Sequence, residues 1–254
     1  MRVALLAAGI LAVGGCRGTT LPVEARTSVF VRRVLFVGNS LTYSNDLPGT
    51  LAALVRSDGE GIVVASVTRP GYALTDHLVP PTASGALDSI RGTRWDHVVL
   101  QQGPTSRDVD RDSLVLVARQ LAPAIRASGG RPVLYMVWPA VRDSANFDRV
   151  HESFRRAACA VDGELWPAGD AWRAVRRIDP SIPLYGPDQF HPAPLGTYLA
   201  ALVMYERITG RDARRLPPCA VVDGKTASVS PETVRVLQRA AHLANEDAAR
   251  SCAI

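Results

Sequence analysis

From Arg33 onward, the chain alternates between short, continuously apolar runs and longer segments with helical periodicity. Apolar runs of this kind are typical of strands that are buried on both faces of a parallel sheet. The predicted strands are residues 34–37, 62–65, 97–100 and 132–137. The predicted helices are residues 47–56, 112–127, 147–160, 194–208 and 231–249. Strands that alternate with helices form a mainly parallel sheet covered on both sides, so we predict one three-layer α/β/α sandwich.

The composition is that of an ordinary folded protein. With 254 residues, of which 47% are hydrophobic and 21% charged, the chain is not a disordered, collagen-like or coiled-coil protein. The formal net charge of +5 comes almost entirely from arginine, since Lys225 is the only lysine. The arginines are scattered among acidic residues instead of forming one stripe, so we predict no nucleic-acid partner.

The N-terminal residues predict an exported protein. Residues 1–15 combine a charged start, an apolar run and small residues, which is typical of a secretory signal peptide. The apolar run, residues 3–13, is too short to span a bilayer as a helix. Cys16 follows small residues in a pattern that resembles the lipobox of bacterial lipoproteins, which implies a lipid anchor on Cys16; a plain signal peptide with a chance cysteine is the alternative. Residues 16–30 are the predicted tether, and residues 31–254 are the predicted folded domain with a C-terminal helical extension.

Lipidation of Cys16 leaves three further cysteines. Cys159 lies on a half-apolar helical face, where we expect a buried thiol. Cys219 and Cys252 flank the C-terminal helix and are the predicted disulfide pair. The sequence has no CxxC motif and no Cys/His cluster with metal-ligand spacing, so we predict neither a metal nor another cofactor.

The end of the first predicted strand carries a candidate nucleophile. Ligand sites in open parallel sheets lie at the carboxyl ends of strands, and Ser40 follows that strand directly. A serine hydroxyl is a poor nucleophile near neutral pH and needs a base within hydrogen-bond reach. The alternative is that Ser40 only caps the next helix.

Asp188 and His191 are the candidate partners of this serine. They lie three residues apart in a turn-rich loop just before a helix. The carboxylate can hold the imidazole Nδ1–H within one local turn, so that Nε2 faces outward to accept the serine proton. The remaining histidines have less suitable surroundings: His77, His97, His151 and His242.

These motifs resemble those of the SGNH or GDSL hydrolases, serine esterases with a flavodoxin-like three-layer sandwich. The resemblance covers about residues 33–210. It implies that Ser40 is the nucleophile and that Asp188 and His191 complete a catalytic triad. Gly71, after the second predicted strand, matches the glycine block of the family. The resemblance therefore implies that the N–H groups of Ser40 and Gly71 bind the oxyanion, although a plain turn also accounts for Gly71.

The third block of the family departs from its usual form in this chain. The family has Gly-x-Asn-Asp after the third strand, whereas this chain has Gln101-Gln102-Gly103. Some branches that are similar to carbohydrate acetylesterases carry Gln-Gly here, which implies Gln102 as the third oxyanion donor. Gln101 is expected to point to the opposite side of the strand. Thr105 is the alternative donor, since an alignment on Gly103 places it at the asparagine position.

Two further features are expected at the same edge of the sheet. Trp138 follows the fourth predicted strand and either borders the substrate pocket or belongs to the core or a lid. The interval between Gln102 and Asp112 is predicted to be a surface loop over the site.

The resemblance implies a cell-envelope serine esterase, which we expect to remove short acyl groups such as acetyl from carbohydrate. Its expected partners are a small-molecule or polysaccharide ester and, through the lipid anchor, a membrane. The alternative is a non-catalytic glycan-binding or envelope-assembly lipoprotein that retains the fold.

Overall fold

Five parallel strands form the central sheet, in the order β2-β1-β3-β4-β5. The computed structural model describes residues 31–80 and 83–248. The strands are β1 (Val31–Gly38), β2 (Gly61–Thr68), β3 (His97–Leu100), β4 (Arg131–Tyr135) and β5 (Glu164–Trp166). This order is that of flavodoxin-like sheets, and it confirms the predicted parallel α/β architecture.

Helices cover both faces of the sheet. They are α1 (Ser40–Tyr43), α2 (Leu47–Ser57), α3 (Ala86–Arg91), α4 (Asp108–Ala127), α5 (Phe147–Ala160), α6 (Ala168–Ile178), α7 (Pro194–Thr209) and α8 (Pro231–Ala248). Contacts among the helices group α2, α6, α7 and α8 in one layer and α3, α4 and α5 in the other. The predicted three-layer sandwich is therefore confirmed.

Helix α7 lies at the centre of its layer, in contact with α2, α6 and α8. It is apolar on nearly all sides, as expected for a helix that is buried all round. Its first turn contains Gly196, where a Cβ atom would lie 2.3 Å from the carbonyl oxygen of Leu184 and 2.5 Å from Cζ2 of Trp172. Only glycine therefore lets the start of α7 approach the chain segment that precedes it.

Some elements were not predicted. Strand β5 was not predicted because it has only three residues, all paired with β4, and ends before Pro167. So short a strand shows no apolar run. Helices α3 and α6 were also missed, as was a short antiparallel hairpin formed by β6 (Val221–Val222) and β7 (Lys225–Thr226).

The loop predicted between Gln102 and Asp112 is shorter than expected. Helix α4 begins already at Asp108. Asp108 and Asp110 lie in its first turn, where negative charges interact favourably with the positive end of the helix dipole and stabilise this earlier start. Arg107 adds an ion pair with Asp110 in that turn, with 2.7 Å between Nε and Oδ2.

The cysteines differ in part from expectation. Cys159 and Cys219 are both disulfide-bonded, so the expectation of a buried thiol at Cys159 was wrong. Cys159 is only half-buried at the end of α5, where it can meet another cysteine. The pairing of Cys219 with Cys252 and the lipidation of Cys16 fall on residues outside the described ranges and stay predictions. With four cysteines in the chain and Cys159 itself disulfide-bonded, only one of these two predictions can hold.

The predicted signal peptide (1–15) and tether (16–30) also lie outside the described ranges. Within those ranges, no helix combines the length and the apolar character needed to cross a bilayer.

A His–Asp pair joins α5 to α6 and predicts a pH-dependent stability. His151 Nδ1 lies 2.7 Å from Asp170 Oδ2, and this hydrogen bond raises the pKa of His151 although burial opposes it. The pKa of His151 is therefore higher in the folded protein than in the unfolded chain, where it is about 6.5. Protonated His151 stabilises the fold fully below about pH 6.5, and this stabilisation is lost as the pH rises through the folded pKa. We expect His151→Gln to lower Tm by about 2–4 °C at pH 5 and to have little effect at pH 9. Thermal unfolding at both pH values measures this, and equal losses would contradict it.

Candidate active site

Ser40 lies at the carboxyl edge of the sheet, where β1 turns into α1. The Asn39 side chain caps α1, since its Oδ1 accepts a hydrogen bond from the N–H of Leu41 at 3.0 Å. The capping role considered for Ser40 therefore belongs to Asn39. Ser40 is the first residue of α1, so its N–H has no carbonyl partner within the helix. Its hydroxyl and its N–H are thus both available at the edge of the sheet.

Gln101 holds the backbone turn of this serine. Its Oε1 accepts hydrogen bonds from the Asn39 N–H and the Thr42 hydroxyl, both at 2.8 Å. Gly38 makes room for it, because a Cβ atom at Gly38 would lie 2.4 Å from that Oε1. Gln101 thus supports the serine turn, a role that the sequence did not indicate, and its side-chain partners differ from those of Gln102. The Gln101 N–H donates to the carbonyl of Val37 at 2.9 Å, so the backbone of Gln101 continues the pairing of β3 with β1 and places its side chain beside Gly38.

The loop that precedes α7 brings Asp188 and His191 to Ser40. His191 Nε2 lies 2.8 Å from Ser40 Oγ, between residues 151 positions apart in the chain. On its other side, His191 Nδ1 is hydrogen-bonded to Asp188 Oδ2. Because Nδ1 faces a carboxylate it carries the proton, and Nε2 accepts a hydrogen bond from the Ser40 hydroxyl. This is the geometry of a Ser-His-Asp triad.

Asp188 is held by its own turn. Its Oδ1 accepts the backbone N–H groups of His191 at 2.9 Å and Phe190 at 3.1 Å. The hydrogen bond from the His191 side chain and these backbone N–H groups lower the pKa of Asp188 to about 2. Asp188 is therefore ionised at neutral pH and orients the imidazole as a negative charge. The site is open, since 38% of the His191 side chain and 50% of the Asp188 side chain are exposed.

Trp138 supports this loop from within the core. It is fully buried and stacks on Trp172 at a centroid distance of 3.5 Å. Its Nε1–H donates to the carbonyl of Phe190 at 3.0 Å, and the Tyr185 hydroxyl donates to the carbonyl of Pro139 at 2.8 Å. Trp138 is therefore a core residue. It does not line the substrate pocket, because none of its surface is exposed.

Gly71 lies in an exposed turn after β2, with a φ of +70° that favours glycine. The segment that follows Gly71 is tied to the serine turn, because Asn39 Nδ2 donates to the carbonyl of Tyr72 at 2.9 Å. It is also tied to Gln102, whose Oε1 accepts the N–H of Leu74 at 3.2 Å. These contacts bring the glycine block next to the serine turn.

The two alternatives for the third oxyanion donor differ in whether the side chain has a hydrogen-bond donor that is not already used. Gln102 Nε2 donates one proton to Thr105 Oγ1 at 3.0 Å, and the Thr105 hydroxyl donates its only proton to the carbonyl of Gly103 at 3.0 Å. Gln102 keeps a second amide proton, whereas Thr105 has none left. The hydrogen bonding thus favours Gln102 over Thr105.

His77 is a buried residue of the site that sequence reasoning missed. Its Nε2 lies 3.0 Å from the carbonyl oxygen of Gly38, and its Nδ1 lies 2.6 Å from Ser84 Oγ. Burial lowers the pKa of His77, so the ring is neutral and donates Nε2–H to that carbonyl. No local motif marks this role, because the partners are distant in sequence.

One group of described residues has metal-ligand spacing: Glu206, Asp212 and His242. Its carboxylates already have partners, since Glu206 Oε1 accepts the N–H of Ala213 at 2.7 Å and Asp212 pairs with Arg214 at 2.7 Å. The Arg214 hydrogen bond also lowers the pKa of Asp212 to about 2. A guanidinium on the same carboxylate disfavours a cation, so we assign no metal to this group.

Comparison with known proteins identifies the family to which the chain belongs. No protein-family model matches the chain, and no curated protein matches it either. Among solved structures, a protein from Slackia heliotrinireducens described as an SGNH hydrolase is 30% identical, with a TM-score of 0.59. That match covers 70% of this chain and 99% of the Slackia protein.

Two more distant structures share the fold alone. A DUF4886 family protein from Bacteroides uniformis is 19% identical over 84% of this chain and 94% of its own, with a TM-score of 0.69. An acetylxylan esterase from Geobacillus stearothermophilus is 14% identical over 70% and 94%, with a TM-score of 0.54. The identity to the Slackia protein over nearly its whole length goes further and confirms the sequence prediction: this chain belongs to the SGNH hydrolase family.

Proposed function

We propose that this hydrolase is a serine esterase in which Ser40 is the nucleophile, His191 the general base and Asp188 the residue that orients it. The observation that carries the proposal is the 2.8 Å contact between Ser40 Oγ and His191 Nε2. A non-catalytic glycan-binding or assembly protein has no need of this contact, which argues against that alternative.

The reaction follows from these contacts. Ser40 Oγ attacks the ester carbonyl while His191 Nε2 takes its proton, and Asp188 stabilises the resulting imidazolium. The tetrahedral intermediate collapses, the C–O bond to the alcohol breaks, and His191 returns the proton to the departing oxygen. Water then attacks the acyl-enzyme with His191 again as base, which releases the acid and restores Ser40.

The oxyanion of each tetrahedral intermediate needs hydrogen-bond donors. We assign this role to the N–H groups of Ser40 and Gly71 and to the Gln102 amide. Removal of one such donor typically costs about 3 kcal/mol, or roughly a hundredfold in rate.

A carbohydrate ester with a short acyl group is the substrate that the open site suits best. His191 and Asp188 are partly exposed, so a bulky alcohol has access to them. Tyr43 lies one helical turn after Ser40 and is 42% exposed. An exposed aromatic ring beside the nucleophile offers a flat apolar surface to the C–H face of a sugar.

A substrate panel tests this assignment. We expect the wild type to hydrolyse acetyl esters faster than butyryl or octanoyl esters of p-nitrophenol, and to release acetate from acetylated xylan. Tyr43→Ala is expected to raise KM for the acetylated polysaccharide several-fold, about 1 kcal/mol of lost contact, and to leave KM for p-nitrophenyl acetate unchanged. Tyr43→Phe is the matched control, because it keeps the ring. A preference for octanoyl esters, or equal effects of Tyr43→Ala on both substrates, would contradict the assignment.

We also propose that a lipid on Cys16 anchors the enzyme in the cell envelope. The signal-peptide pattern and the lipobox resemblance support this, and the disulfide-bonded Cys159 and Cys219 fit an oxidising compartment. Wild-type protein is expected in the membrane fraction, where detergent but not high salt releases it, and Cys16→Ser is expected to be soluble. Mass spectrometry that finds Cys16 unmodified or in a disulfide would overturn the anchor.

A further inference from the structure

A short 3₁₀ helix, Ser44–Asp46, links α1 to α2 and carries a residue in an unusual conformation. Asn45 has φ +52° and ψ +28°, the left-handed region that asparagine tolerates better than most residues. This conformation turns its side chain towards the loop that carries His191. Asn45 Nδ2 donates there to the carbonyl of Pro192 and to Thr197 Oγ1, both at 2.9 Å.

These two hydrogen bonds connect the two halves of the triad. Asn45 follows Ser40 on the same short segment, and Pro192 directly follows His191. Within the described chain, the only other hydrogen bond between residues 39–46 and residues 184–197 is the Ser40–His191 contact itself.

The other supports of the His191 loop lie elsewhere. Trp138 binds the carbonyl of Phe190, and Tyr185 binds the carbonyl of Pro139, so both tie the loop to the segment after β4. Neither of them makes a direct hydrogen bond to α1 or to the turn that carries Ser40. Thr197, in contrast, is 1% exposed in the first turn of α7, so the Asn45 amide reaches a rigid, buried partner.

We infer that Asn45 is a positioning residue that holds the Ser40 turn and the His191 loop at hydrogen-bond distance. Its amide nitrogen has two protons, and both are used, one on each acceptor. An aspartate at this position has the same shape but cannot donate, and its charge faces the Pro192 carbonyl. A glycine keeps the left-handed backbone without strain and removes only the amide.

Two variants and one control test this inference, whose kinetic readout rests on the proposed esterase function. Asn45→Gly and Asn45→Asp are compared with Asp46→Asn as a control. Asp46 also has a left-handed backbone and caps α2, and an asparagine at position 46 can keep both features. In crystals of the two Asn45 variants, we expect the Ser40 Oγ to His191 Nε2 distance to exceed hydrogen-bond range. For p-nitrophenyl acetate, we expect kcat to fall about 10- to 100-fold with KM nearly unchanged, since small displacements of reacting groups have effects of this size. Asp46→Asn is expected to retain both the distance and kcat.

The outcomes separate the two proposals. An active wild type whose Asn45 variants keep the contact and kcat would overturn the positioning role. Variants that lose the contact while even the wild type hydrolyses no ester would leave the positioning role standing and overturn the esterase. A parallel loss in kcat and Tm in Asp46→Asn would also count against Asn45, because the effect would then belong to the whole turn.

Discussion

Replacing Ser40 with alanine is expected to lower kcat for p-nitrophenyl acetate by a factor on the order of 10⁴ to 10⁶, with the fold intact. The hydroxyl that donates to His191 Nε2 is the group proposed to form the acyl-enzyme, and no neighbouring hydroxyl has the same contact among the described residues. The proposed oxyanion donors remain in this variant, so a residual rate above that of water is expected.

Ser44→Ala is the matched control for this experiment. Ser44 lies one helical turn beyond Ser40 and contacts it only through the backbone, so we expect wild-type kinetics. A fluorophosphonate probe provides a second readout: the wild type and Ser44→Ala take up one equivalent on Ser40, and Ser40→Ala takes up none. Equal hydrolysis by the wild type and Ser40→Ala would exclude the proposed nucleophile.

The second large effect is expected on stability, from Gly196→Ala. The added methyl group meets the carbonyl oxygen of Leu184 at 2.3 Å and the ring of Trp172 at 2.5 Å, and neither can move freely because both are buried. Overpacking of this kind costs about 3 kcal/mol, which lowers Tm by about 6–12 °C in a domain of this size. Ala193 donates its N–H to the same Leu184 carbonyl at 2.8 Å, so the loop with His191 is expected to shift and kcat to fall as well.

Gly103→Ala is the control for Gly196→Ala. A Cβ atom at Gly103 has no heavy atom within 4 Å beyond its chain neighbours, so we expect Tm to stay within about 2 °C of the wild type. Differential scanning calorimetry compares the two variants directly. An equal Tm for Gly196→Ala and the wild type would show that α7 can move away from Leu184 at little cost.

The parts of the fold that the sequence predicts are those with a strong local signal. Apolar runs identify four of the five strands, β1 to β4, whereas the three residues of β5 are too few to show such a run. The Asp188–His191 turn was recognisable because its contacts are local, within three residues. Ser40 was recognisable because it follows a buried strand.

The supports of the site were not predictable, because each joins residues that are distant in the chain. Gln101 meets Asn39 across a sequence separation of 62, and His77 meets Gly38 across 39. Alternation along the strand separates Gln101 from Gln102, but it does not reveal that Gly38 leaves a space for the Gln101 side chain. Such contacts follow from the register between strands, which a single sequence does not display.

The late position of α7 in the chain has a consequence for when catalysis can begin. The proposed base and its carboxylate lie on the segment that enters this buried helix, and the proposed nucleophile lies at the end of the first strand. A nascent or half-folded chain therefore has a serine without a proton acceptor, and hydrolysis starts only once α7 has docked between α2 and α8. Recovery of turnover during refolding should thus report completion of the whole domain, rather than formation of the sheet alone.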